Sequence, residues 1–88
     1  MKIAFTAQGW ADYLHWQEVD PAISSRLNLL IKEASRSPFN GLGKPEPLRG
    51  AYAGWWSRRI NSEHRLVYRV SGQGPDKQLE IAQCRYHY

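Results

Sequence analysis

The chain has 88 residues, a net charge of +4, four tryptophans and a single cysteine. That length suits one domain with an economical core, and the aromatic content argues against disorder. One cysteine permits no internal disulfide, no Cys/His spacing suits zinc, and no run nears the roughly 18 apolar residues of a membrane span. Lys2–Thr6 is a short, apolar, β-capable run and reads as a first strand. A helix is expected from about Gln8 to Val19, with Trp10, Tyr13, Leu14 and Gln17 as its core stripe and Asp12 and Glu18 elsewhere on the wheel. Asp20-Pro21 is an N-cap followed by a first-turn proline. Ile23, Leu27, Leu30, Ile31 and Ala34 then carry an apolar stripe through a second helix, which ends before Pro38. The two helices form a hairpin.

Residues 38–54 hold three of the five prolines and four of the seven glycines. This stretch reads as a long structured loop, and long loops on compact domains are often functional. A β-meander follows, with strands over Trp55–Ile60, Arg65–Val70 and Gln78–Arg85. In the middle strand Leu66, Tyr68 and Val70 alternate with Arg65, Val67 and Arg69, so one face is core and the other presents arginines. The predicted fold is α+β in a single domain over 1–88: an N-terminal strand, a two-helix hairpin and an antiparallel three-strand meander. Helices on one face leave the other free for a ligand.

Charge is unevenly placed. Residues 1–43 balance four basic against four acidic side chains, whereas residues 44–88 hold eight basic against four acidic. Such asymmetry fits a polyanionic partner as well as a solvated basic surface. Cleaving RNA without a metal requires a base for the ribose 2′-hydroxyl, cations for the phosphate and an acid for the departing 5′-oxygen. Glu46, caged between Pro45 and Pro47 with Lys44 close by, is a rigid carboxylate that could be a base or an ordinary loop residue. Arg58, Arg59, Arg65 and Arg69 have the forked donors that phosphate contacts use, with Arg58 and Arg59 on opposite faces. Arg59 and Arg65 flank one turn. Of the histidines, His15 reads as structural or exposed, His64 stays open, and His87 lies in an aromatic tail that serves either packing or proton transfer. Cys84 reads as a buried small residue. No carboxylate or histidine set at ligand spacing suggests a metal nuclease.

The segments WADYLHWQEVD (10–20), SPFNGLGKPEPL (37–48), GWWSRRINSEHRLVY (54–68) and CRYHY (84–88) closely resemble the YoeB toxin family of the RelE-like superfamily, over essentially the whole chain. The resemblance implies a toxin of a type II toxin–antitoxin pair that enters the ribosomal A site and cuts messenger RNA by 2′-hydroxyl transesterification. It implies Glu46 as general base, Arg65 as transition-state stabiliser, His87 as general acid and Tyr88 as a functional tyrosine. Arg59, with Lys44 or Arg49, matches phosphate-contacting positions. Ser71–Gln78 is longer than the family's usual turn. The resemblance also implies a YefM-like antitoxin, bacterial ribosome and messenger as partners, a toxin able to dimerise, and operator DNA reached only through the antitoxin complex. Neither cofactor nor metal is expected, nor membrane attachment. The lone cysteine and the lack of a long apolar leader suit the cytoplasm. Two other readings compete: a non-catalytic module, like superfamily relatives that poison gyrase and lack the nuclease residues, and a nucleic-acid-binding regulator without toxicity. The joint presence of Glu46, Arg65 and His87 speaks against the first, and growth on expression alone would favour the second.

Overall fold

The computed structural model describes residues 1–86, so the expectations for His87 and Tyr88 lie outside the described residues. In chain order the elements are β1 (Lys2–Phe5), α1 (Ala7–Val19), α2 (Pro21–Arg36), β2 (Glu46–Pro47), β3 (Trp56–Arg59), β4 (Arg65–Ser71) and β5 (Gln78–Gln83). The described residues form one sheet in the order β1-β5-β4-β3-β2. β1 runs parallel to β5, and the other neighbours are antiparallel. The α+β class and the helix hairpin are as expected, but the meander gains an edge strand. β2 comprises only Glu46 and Pro47, paired with Ser57 and Trp56. A proline cannot donate to a ladder and is tolerated at a sheet edge, so the composition of this stretch reads as loop although it pairs.

Both helices lie on one face. Leu27, Leu30 and Ala34 of α2 and Trp16 of α1 meet Leu66 and Tyr68 of β4 and Leu79 and Ile81 of β5. Each fully buried leucine contributes about 1.5–3 kcal/mol. Asp20 caps α2 as expected, its Oδ1 accepting from the amides of Ala22 and Ile23 at 3.1 Å.

The stripe expected on α1 is corrected. Trp10 and Leu14 are 47% and 46% exposed, and the buried positions are Gly9, Asp12 and Trp16. Two contacts invisible to hydrophobic periodicity rotate the helix. A Cβ at Gly9 would lie 2.5 Å from the Ile81 carbonyl oxygen, so only glycine lets α1 approach β5 this closely. The Asp12 carboxylate, 4% exposed, accepts from the Cys84 amide at 3.0 Å and from Gln8 at 2.7 Å. A buried carboxylate is tolerated where such donors meet it. Trp10 instead stacks on Tyr13 and meets Phe5 edge-on at the surface.

Paired residues of neighbouring strands share a face. Glu46, Ser57 and Val67 therefore lie in one row, Arg59 and Arg65 in the next, and Arg69 with Glu80 beyond Val67, all on the face away from the helices. That face is not wholly open, because Ser57 and Val67 are fully buried. The turn over Ser71–Gln78 contains a single 3-10 turn, Gly74–Asp76.

Candidate functional site

Glu46 is held by its pairing with Ser57, by Pro45 and Pro47, and by a loop whose anchor is Arg58. Arg58 points to the core and has no exposed surface. Its Nε donates to the Tyr68 hydroxyl at 3.0 Å and its Nη1 to the Leu42 carbonyl at 2.8 Å. Its Nη2 donates to the carbonyls of Asn40, at 2.9 Å, and of Ser37. The Tyr68 hydroxyl in turn donates to the Pro38 carbonyl at 2.6 Å. Burial, partly offset by Arg58, pushes the Tyr68 hydroxyl above its ordinary range. One guanidinium thus cross-links residues 37–42 to the sheet. The same loop reaches the sheet again where Gly43 accepts from the Arg59 amide at 2.7 Å. Gly43 sits at φ +86, and a Cβ there would lie 2.8 Å from Leu30.

The structure brings Glu46 and Arg65 together. Arg65 Nη1 lies 3.4 Å from Glu46 Oε1, with the arginine side chain 14% and the carboxylate 53% exposed. The carboxylate end is half open to water, which weakens what the pair adds to stability. Arg59 faces Arg65 across the β3–β4 ladder and is exposed. A carboxylate with one arginine beside it and a second arginine on the adjoining strand makes a place where a phosphodiester's charge is favoured. Glu46, Pro47, Leu48 and the exposed Arg49 line an open cleft of about 550 Å³. Lys44 is exposed at the entry to β2, in the left-handed conformation at φ 54.

Two of the four candidate arginines are otherwise engaged. Arg58 is spent on the loop. Arg69 donates to Glu80 at 2.6 Å and stacks 4.4 Å above the Trp55 ring. Sequence reasoning passed over Ser57, whose buried hydroxyl and the Arg65 Nε have no hydrogen-bond partner among the described residues. Both belong to the row system of Glu46 and Arg59, and alternation along β3 is the signal that places Ser57 there.

The chain leading to His87 is firmly attached. Trp16 Nε1 donates to the Cys84 carbonyl at 2.7 Å, and Asp12 accepts from the Cys84 amide. The Arg65 amide donates to the Tyr86 carbonyl at 3.1 Å. The Tyr86 amide donates to His64 Nδ1 at 2.7 Å. Cys84 is fully buried, as expected, and burial, with the nearby Asp12 carboxylate, pushes its thiol up to about 12.

The signature of the YoeB-like toxin of bacterial type II toxin-antitoxin systems matches residues 5–88. The chain belongs to this family. Toxin YoeB of a Synechocystis species is 56% identical over 88 residues, covering 100% of this chain and 98% of that toxin. Toxin YoeB of Escherichia coli K12 is 53% identical, with all of both chains covered. Among solved structures, the YoeB/ParE toxin from Agrobacterium tumefaciens superposes with a TM-score of 0.95 at 56% identity, covering 100% of each chain. YoeB of Staphylococcus aureus has been solved as a dimer (42% identity, TM-score 0.88, covering 100% of this chain and 98% of that one). It has also been solved with YefM in a heterotetrameric toxin–antitoxin complex. Among the described residues of this YoeB-like chain, no helix is long and apolar enough to cross a membrane.

Proposed function

We propose that this YoeB-like toxin is an endoribonuclease that cuts messenger RNA in the ribosomal A site. The observation that carries the reading is the Glu46–Arg65 pair at 3.4 Å, with Arg59 as the ladder partner of Arg65. A carboxylate beside one arginine, with a second arginine on the adjoining strand, supports a base and a charge clamp on one face. Glu46 takes the proton of a ribose 2′-hydroxyl, and the 2′-oxygen attacks the adjoining phosphorus. Arg65 and Arg59, assisted by Lys44 or Arg49, offset the charge gathering on the non-bridging oxygens. The bond from phosphorus to the 5′-oxygen breaks, and His87 protonates that oxygen. The products are a 2′,3′-cyclic phosphate and a free 5′-hydroxyl. Tyr88 adjoins the acid and contacts the RNA. No metal enters this scheme.

For regulation, the S. aureus YoeB–YefM complex supports a YefM-like antitoxin, and the YoeB dimer supports a self-associating free toxin. The basic second half of the chain suits an acidic antitoxin segment that orders on binding. Operator DNA is reached through that complex, and the toxin acts in the cytoplasm.

Cleavage is tested on ribosomes programmed with a messenger carrying a single 2′-deoxynucleotide at the cut position. Cutting stops at that site and persists on the all-ribo messenger, including after chelation with ribosome integrity maintained separately. Glu46→Gln slows the cut by about 10²–10⁴-fold. Cleavage of the deoxy messenger at the normal rate overturns the mechanism.

A further inference from the structure

His64 occupies a fixed position for local reasons. Asn61 Oδ1 accepts from the amides of Glu63 and His64 at 2.9 and 2.8 Å, closing the turn between β3 and β4. The His64 carbonyl accepts from the Ile60 amide at 3.0 Å. Its ring is buried edge-on against Trp16, with centroids 4.7 Å apart, and lies 5.5 Å from the Tyr86 ring. Nδ1 is then aimed at the Tyr86 amide, 2.7 Å away. An amide can only donate, so Nδ1 carries a lone pair and the ring proton resides on Nε2.

Tyr86 sits at φ 63, a conformation that a bulky side chain adopts at a cost of about 1–3 kcal/mol and keeps only where its surroundings impose it. Both of its backbone polar groups are held by adjoining residues: the amide by His64 Nδ1 and the carbonyl by the Arg65 amide. Arg65 is also the cation beside Glu46. The last described residue before His87 is therefore fastened to the strand that carries the phosphate-binding arginine. The strained residue is the one that directly precedes His87 in the sequence.

We propose that His64 is a positioning residue of the cleavage site, its Nδ1 clasping the Tyr86 amide and so fixing the backbone of the residue that precedes His87. This inference rests on the assignment of His87 as the acid. His64→Phe keeps a ring against Trp16 and removes the acceptor. His64→Asn keeps an acceptor where Nδ1 stood. In the full-length toxin on programmed ribosomes, His64→Phe lowers kcat about 100-fold, as a misplaced catalytic group does, with KM for ribosomes unchanged. His64→Asn restores most of that loss. In parallel, ¹⁵N NMR of the full-length chain shows an unprotonated His64 Nδ1 and a Tyr86 amide protected from hydrogen exchange. That protection disappears in His64→Phe and returns in His64→Asn. An unprotected Tyr86 amide in the wild type overturns the clasp. So does a folded His64→Phe toxin that cuts at the wild-type rate while His87→Ala is dead, or His64→Asn that protects Tyr86 without restoring kcat. Normal cutting by His87→Ala overturns the parent reading itself, and this assignment with it.

Discussion

Replacing Arg58 by methionine separates the loop clamp from everything else in the core. Methionine fills the volume of the arginine stem and deletes every donor. The Tyr68 hydroxyl retains its own bond to Pro38. The carbonyls of Ser37, Asn40 and Leu42 lose a charged donor. At about 1–3 kcal/mol for each unsatisfied group, the upper bound is roughly 9 kcal/mol. Two effects reduce it. Asn40 is exposed, so water can replace the arginine there, and removing the guanidinium relieves the cost of burying a charge. The expected net loss is about 3–5 kcal/mol, a large share of the roughly 5–15 kcal/mol that a domain possesses. Urea unfolding followed by tryptophan fluorescence measures the loss, and hydrogen exchange locates it, with faster exchange over residues 37–44. A loss below about 1 kcal/mol, or a larger loss with exchange over 37–44 unchanged, refutes the clamp.

Two further outcomes follow from the packing of α1 and the tail. Alanine is a better helix former than glycine by about 1 kcal/mol, yet Gly9→Ala drives a Cβ to within 2.5 Å of the Ile81 carbonyl oxygen. The clash wins by about 1–3 kcal/mol, so calorimetry shows a lower Tm, and a raised Tm contradicts the close approach. The Cys84 thiol, ionising near 9.0 when unfolded and about 12 in the fold, stays unlabelled by iodoacetamide at pH 8 until the chain is denatured. Its folded value is raised, so its contribution is complete below pH 9 and falls away as pH climbs towards 12. The total is roughly 4 kcal/mol, and this slope is missing in denaturation curves of Cys84→Ala.

How much was legible depends on how local the cause was. The α2 stripe, the Asp20 cap and the alternation in β4 are consequences of backbone period and local hydrogen bonding, and the sequence carries them openly. The stripe on α1 misled because hydrophobic periodicity takes Trp10 and Leu14 as core and Asp12 as surface. The helix orientation is set by a glycine contact and a carboxylate–amide bond to residues some seventy positions away. Arg58 and Arg59 could be assigned to opposite faces, but only packing shows that the inward guanidinium is enclosed by carbonyls rather than offered to phosphate.

By itself the sequence determined the helices and the longer strands, the α+β class, the basic second half and, through resemblance, the family and the residues expected to form its site. Tertiary structure decided which of those residues meet. Glu46 and Arg65 are nineteen positions apart, and only the pairing of β2 with β3 and of β3 with β4 brings them onto one face. His64 and Tyr86 are twenty-two apart, and their bond depends on an Asn61 turn, a Trp16 ring and the run of chain beyond β5. Local period is encoded in neighbouring residues, whereas register and the partners of buried polar groups arise only when the whole chain has closed around its core.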